Sequence, residues 1–107
     1  MIRTDCYLAV LKKFKEKYPS AHFEVITRYA NHVLSPSWEL LRQAKEENWS
    51  FKRYKEALLK ELLNNNAALE KIKKLKNISR RKVLFLVCYE KDASKCHRTI
   101  VKELIKE

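Results

Sequence analysis

The feature that most constrains the fold is an unbroken apolar run, VLFLV at residues 83–87, which follows the basic stretch RRK. A strand with one face in water would alternate apolar and polar residues, but this run is apolar at every position. Such a run is typical of a strand that is covered on both faces, as in a parallel sheet. The rest of the chain therefore has to supply helices for two faces of a sheet.

Two further strands and five helices are predicted around this run. The opening MIRT and the alternating segment HFEVITR (residues 22–28) are predicted strands, as is the whole segment RRKVLFLVC (residues 80–88). Apolar residues at helical spacing predict helices over residues 6–18, 36–47, 51–63, 67–77 and 96–107. This order predicts a single α/β domain over residues 1–107, with a small three-stranded parallel sheet and helices on both faces. Right-handed crossovers favour the strand order 2-1-3, with the first strand in the centre.

Small polar residues mark the predicted helix ends. Asp5, Ser35 and Ser50 are predicted N-caps, and Pro36 fits the first turn of the helix that Ser35 begins. The sequence contains no glycine, so left-handed turn positions fall to asparagine, and glycine-rich phosphate loops are excluded. The predicted asparagine break points are Asn31, Asn48, Asn64, Asn65, Asn66 and Asn77.

Two tryptophans and two histidines are assigned to structure rather than to chemistry. Trp38 and Trp49 flank a predicted helix, so we expect both to pack against the core, with base stacking as the alternative. His22 and His32 fall at a strand start and in a loop, where we expect surface side chains.

The chain is strongly basic, with 24 Lys and Arg against 13 Asp and Glu and a net charge of +11. Such a surplus attracts polyanions, which makes nucleic acid an alternative partner, although dispersed lysines are also typical of a solvated surface. The segment KIKKLKNISRRK is the densest in charge. Its residues form the predicted nucleic-acid-binding set: Lys73, Lys74, Lys76, Arg80, Arg81 and Lys82.

No apolar run approaches the roughly 18 residues that a membrane span requires, and the N-terminal segment lacks the features of a signal peptide. We therefore expect a cytoplasmic protein without a membrane partner. Its three cysteines are then expected to be reduced thiols.

Polar residues follow each predicted strand. Because the carboxyl ends of parallel strands meet at one edge of the sheet, these residues are expected to converge on a ligand crevice there. The residues predicted to bind a ligand are Asp5, Arg28, Tyr29 and Cys88. The residues predicted to be catalytic are Glu90, Cys96, His97 and Arg98.

The segment CHR, residues 96–98, falls at the start of the last predicted helix. Free amides and the positive end of the helix dipole stabilise a thiolate or an anion at such a position, and a neighbouring His and Arg favour the thiolate further. Asp92 or Ser94 is the predicted cap of this helix. The alternative is structural: Cys88 as a packing residue, and His97 and Arg98 as partners of the preceding loop.

A metal site is the third interpretation of the same cluster. Cys6, Cys88, Cys96 and His97 are donors that zinc accepts, but their spacing lacks the close pairs typical of zinc sites. We therefore predict no metal and no other cofactor.

The segments ITRYAN, LSPSWELL and VCYEK followed by CHR resemble the YeaO-like family, the domain of unknown function numbered 488. The resemblance covers nearly the whole chain, and it departs at Ala30, where the family more often has proline. It implies a compact intracellular α/β domain and carries no established activity. The residues at its motif positions are Arg28, Cys88, Glu90, Cys96, His97 and Arg98.

Two hypotheses of function follow. The first is a small enzyme or binding domain that takes a small anionic ligand at the crevice, by thiol or phosphate chemistry. The second is a nucleic-acid-binding module that uses the basic surface. The substrate and the oligomeric state are not determined by the sequence.

Overall fold

The computed structural model describes residues 1–27, 32–92 and 96–106. It confirms an α/β fold with a three-stranded parallel sheet. The strands are β1 (Ile2–Arg3), β2 (His22–Val25) and β3 (Leu84–Val87). The helices are α1 (Leu11–Lys17), α2 (Trp38–Glu46), α3 (Phe51–Leu63), α4 (Asn66–Arg81) and α5 (His97–Lys106).

The strand order is β1-β3-β2, so the predicted order 2-1-3 is wrong. The strand β3 lies in the centre, because all four of its residues are buried and it pairs with a neighbour on each side. The strand β1 has two residues, and such a short strand cannot support two neighbours. The apolar run, and not the first strand, therefore occupies the centre of the sheet.

The side chains of β3 divide between the two faces of the sheet. Leu84 and Leu86 belong to the larger core, with apolar residues of α3, α4 and α5. Phe85 and Val87 belong to the smaller core on the other face, which α1 and Cys6 cover. Helices therefore lie on both faces, as the apolar run predicts.

Of the three predicted N-caps, Asp5, Ser35 and Ser50, only Ser50 is confirmed. Ser50 caps α3, and its side chain accepts a hydrogen bond from the amide of Arg53. Ser37, not Ser35, caps α2: the Ser37 side chain accepts from the amide of Leu40, whereas the Ser35 hydroxyl donates to the carbonyl of His32. Asp5 does not cap a helix, since its carboxylate binds Arg3 and α1 begins only at Leu11.

Asparagines lie at the ends of three helices in the described chain. Asn48 has a φ of 52°, which places it in the left-handed region directly after α2. Asn64 follows α3, and Asn65 caps α4. Asn77 was predicted as a break but lies inside α4, whose apolar face continues to Ile78.

None of the helices in the described ranges has the length and apolar character that a membrane span requires.

A half-buried ion cluster joins β2 to α4. Glu24 contacts His22 Nε2 at 2.8 Å, His32 Nε2 at 2.7 Å and Lys71 Nζ at 2.9 Å. His32 was predicted to lie on the surface, but its side chain is only 12% exposed because Glu24 draws it inward. The amide of Leu34 donates to His32 Nδ1, so the ring proton lies on Nε2 and is donated to Glu24.

Burial raises the pKa of Glu24, but hydrogen bonds from His32, Lys71 and His22 outweigh it and hold the pKa well below 4.5, its ordinary value. A carboxyl whose pKa is lowered in the folded state stabilises the protein above the unfolded pKa. That stabilisation is lost as the pH falls from about 4.5 towards the folded pKa.

We expect Glu24→Gln to lower the free energy of unfolding at pH 7 by about 1–3 kcal/mol, because Lys71 loses its anionic partner. The difference from wild type should shrink in acid, where Glu24 is protonated in the unfolded chain. Urea midpoints across the acid range measure both effects. The exposed neighbour variant Glu70→Gln is the control, and an equal loss in both variants would contradict the assignment.

Candidate functional site

A crevice of about 330 Å³ opens beyond the carboxyl ends of β2 and β3, beside the start of α5. This is where parallel sheets bind ligands. Its described lining is Thr27, Pro36, Trp38, Leu41, Tyr54, Cys88, Tyr89, Glu90, Cys96 and His97.

The floor of the crevice carries two thiols and one imidazole. His97 Nδ1 lies 3.7 Å from the sulfur of Cys96 and 3.9 Å from that of Cys88. His97 Nε2 lies 2.6 Å from the carbonyl oxygen of Ile26, so Nε2 carries the donated proton. Nδ1 therefore faces both sulfurs, and it can accept a proton from a thiol or, once it holds that proton, donate it to a thiolate.

The pKa values of the two thiols are shifted in opposite directions. A hydrogen bond from Cys88 lowers the pKa of Cys96, and His97 and the backbone amide of Arg98 add to this against the effect of burial. The pKa of Cys88 is raised, first by its hydrogen bond to Cys96 and then by burial. Of the two, Cys96 therefore loses its proton more readily, and Cys88 keeps its proton and can donate it to the Cys96 sulfur.

The two cysteines also affect the pKa values of two other side chains that line the crevice. Burial and then the Cys96 and Cys88 sulfurs raise the pKa of Tyr54, which keeps its hydroxyl neutral. Burial and then Cys96 also raise the pKa of Glu90, so this carboxyl holds a proton more readily than usual.

Arg98 lies behind the crevice and does not line it. Its side chain is 0% exposed, and it inserts between the segments that follow β1 and β3. It donates to the carbonyls of Thr4 at 3.0 Å and Cys6 at 2.8 Å, and also to those of Glu90 and Lys91. Its Nε has no hydrogen-bond partner among the described residues. Arg98 was predicted to be catalytic, but its geometry is that of a brace for the crevice wall.

The structure brings together some of the predicted site residues. Cys88, Glu90, Cys96 and His97 all line the crevice. Asp5 was predicted to bind a ligand, but its carboxylate is held by Arg3, which lowers its pKa. The predicted ligand contacts Arg28 and Tyr29 lie outside the described residues.

The predicted nucleic-acid-binding residues lie elsewhere, on and just after α4. They are solvent-exposed, except that Lys76 is half-buried. The exposed members are Lys73, Lys74, Arg80, Arg81 and Lys82.

Sequence reasoning missed much of the crevice wall. Trp38 was predicted to lie in the core, yet it is 60% exposed and lines the crevice, because Ser37 begins α2 at the crevice mouth. Trp49 does pack against the core. The tryptophan of LSPSWELL could have been suspected from the motif. Tyr54 gave no such signal, because it continues the apolar face of α3.

Cys88, Cys96 and His97 are also donors that a soft metal could use. Their ligand atoms lie within 4.8 Å of one another. Zinc accepts two thiolates and an imidazole with a fourth position left for water or substrate. The prediction of no metal rested on the separation of these residues along the sequence. The fold nevertheless brings their ligand atoms close together in space. Because a bound ion would occupy both sulfurs, metal binding and free-thiol chemistry exclude each other here.

Arg98→Lys should lower the free energy of unfolding by at least about 2 kcal/mol, because an ammonium cannot replace a guanidinium that serves carbonyls of two separate segments. Urea midpoints measure the loss. Arg81→Lys, on the exposed surface of α4, is the matched control. Equal midpoints for Arg98→Lys and wild type would show that Arg98 does not brace the fold.

A family model described as the active DUF488-N3 subclade matches residues 12–107. No curated protein and no solved structure matches the chain. The match extends from α1 to the last residue and includes every described residue of the crevice lining. The chain therefore belongs to the DUF488 family, a domain of unknown function.

Proposed function

We propose that this protein is an enzyme in which the Cys96 thiolate attacks a small electrophilic ligand held in the crevice. One observation carries the proposal. The Cys96 sulfur lies at the floor of a cavity of about 330 Å³, with both Cys88 and His97 in contact. A low-pKa thiolate beside an imidazole and at a helix start is the arrangement of an activated nucleophile.

Each neighbour of Cys96 has a distinct part in this reaction. The Cys88 thiol and the amide of Arg98 donate to the resting thiolate. His97 is held in place by Ile26, so its Nδ1 stays aimed at the sulfurs and can accept a proton. Glu90 has a raised pKa and lies on the wall, where it can protonate a leaving group.

The crevice wall favours a small, weakly charged ligand. The described lining includes no lysine or arginine, and Trp38 and Tyr89 supply exposed aromatic surface. An anionic ligand would depend on Arg28, which follows Thr27 in the sequence but lies outside the described residues. The description of the matched family as an active subclade is in keeping with a chemical role. The narrower YeaO-like resemblance remains a prediction.

Iodoacetamide should alkylate Cys96 at pH values well below 8.5, roughly the ordinary midpoint of a free thiol, because the thiolate persists there. Mass spectrometry of the native, chelator-treated protein locates the adduct and gives its rate against pH. His97→Gln should move the midpoint upwards, because glutamine can still donate to Ile26 but its amide cannot take up the thiol proton as an imidazole can.

Cys6 is the internal control for this experiment. It is fully buried in the other core, and burial raises its pKa, so it should remain unmodified. An ordinary midpoint for Cys96, or equal rates at Cys96 and Cys6, would refute the proposed nucleophile.

A groove at the opposite edge of the sheet supports a second candidate, the binding of nucleic acid. It encloses about 470 Å³ between the last turns of α4 and α5. Lys76, Arg80, Lys102 and Lys106 line it, and its described lining has no acidic side chain. Lysine and arginine grouped in this way are suited to phosphate contacts along a backbone.

Lys102→Glu combined with Lys106→Glu should weaken binding of a fluorescent single-stranded oligonucleotide and reduce the slope of log affinity against log salt. Lys12→Glu combined with Lys13→Glu makes the same change in net charge on α1, which covers the other face of the sheet. Fluorescence anisotropy distinguishes the two double variants. Equal losses would indicate unspecific attraction to a basic protein and not a site.

A further inference from the structure

Cys88 faces the same imidazole nitrogen as Cys96, so a second sulfur lies beside the proposed nucleophile. The sulfurs of both cysteines and His97 Nδ1 lie within 4.8 Å of one another, and all three line the crevice. A disulfide needs its sulfurs about 2.0 Å apart, so the two side chains must approach each other further for the bond to form. The third cysteine, Cys6, belongs to the core on the other face of the sheet.

We propose that Cys88 and Cys96 form a dithiol–disulfide couple, in which Cys96 attacks the disulfide of a small thiol compound and Cys88 resolves the product. This inference rests on the proposed function, because it takes Cys96 as the attacking thiolate. It adds a role for Cys88 and a class of substrate.

The first step transfers one half of the substrate to the protein. The Cys96 thiolate forms a bond to one sulfur of RS–SR, the substrate S–S bond breaks, and the leaving RS⁻ takes up a proton. The product is a mixed disulfide between Cys96 and RS. The crevice is large enough for a small organic disulfide, and its apolar and aromatic wall suits the carbon chain.

The second step releases the other half. Once Cys96 is in a mixed disulfide its negative charge is gone, so the main cause of the raised pKa of Cys88 is removed. His97 Nδ1, 3.9 Å from the Cys88 sulfur, can accept its proton. The Cys88 thiolate then attacks the Cys96 sulfur, and the second RS⁻ leaves with that proton.

The overall exchange is balanced. With one proton taken from solvent by the first RS⁻ and one supplied by Cys88, one RS–SR is reduced to two RSH, and the Cys96 thiolate and the Cys88 thiol are oxidised to a Cys88–Cys96 disulfide. An external dithiol reductant is needed to return the protein to its starting state.

The test is to treat the reduced, chelator-washed protein with oxidised glutathione, quench with acid and identify the products by mass spectrometry. Wild type should lose two hydrogens, with Cys88 and Cys96 joined in one peptide pair. Cys88→Ser and Cys88→Ala should each retain one glutathionyl group on Cys96, because resolution is blocked. Cys6→Ala should behave as wild type, and dithiothreitol should reverse every product.

The possible results separate the two proposals. If Cys96 is alkylated at low pH but wild type retains glutathione as firmly as the Cys88 variants, the dithiol couple is refuted while the nucleophile stands. If Cys96 reacts neither with iodoacetamide nor with glutathione disulfide, both proposals fail. A disulfide that includes Cys6 would also refute the assignment of Cys88.

Discussion

The described architecture of the crevice depends on one buried guanidinium. Arg98 has no exposed surface, and its hydrogen bonds run to backbone carbonyls in the segments that follow β1 and β3. Because a buried cation is costly unless its donors are satisfied, the two segments are held where their carbonyls meet it. Arg98 also belongs to the first turn of α5, so the same contacts fix where that helix begins.

The position of α5 in turn determines which side chain faces the sulfurs of Cys88 and Cys96. His97 precedes Arg98 and donates to the carbonyl of Ile26 beyond β2, which leaves Nδ1 directed at the sulfurs of Cys88 and Cys96. In the segment CHR, therefore, Arg98 donates to carbonyls after β1 and β3, and His97 donates to the carbonyl of Ile26 after β2. Cys96 is the residue whose thiol has a lowered pKa. Adjacent residues of this triplet thus make different contacts: His97 and Arg98 donate to backbone carbonyls, whereas Cys96 lines the crevice.

The sequence predicts which face of a helix is buried, but it does not predict several of the residues at which helices begin. Ile100, Val101, Leu104 and Ile105 are buried as their spacing predicts, because a helical period leaves one face for the core. The cap of α2 was misplaced because Ser35 and Ser37 are equally good caps locally. Glu61, 24 residues further along, binds Ser37 and settles the choice.

The sequence by itself determined the fold class, an apolar strand covered on both faces, and the edge at which Cys88, Glu90, Cys96 and His97 meet. These follow from local periodicity and from the rule that parallel strands end together. Only the tertiary structure decided which members of that set line the crevice and which brace it. Distances between a sulfur and an imidazole, and the pKa shifts that follow from them, depend on contacts between distant segments. Local sequence patterns carry no information about such contacts.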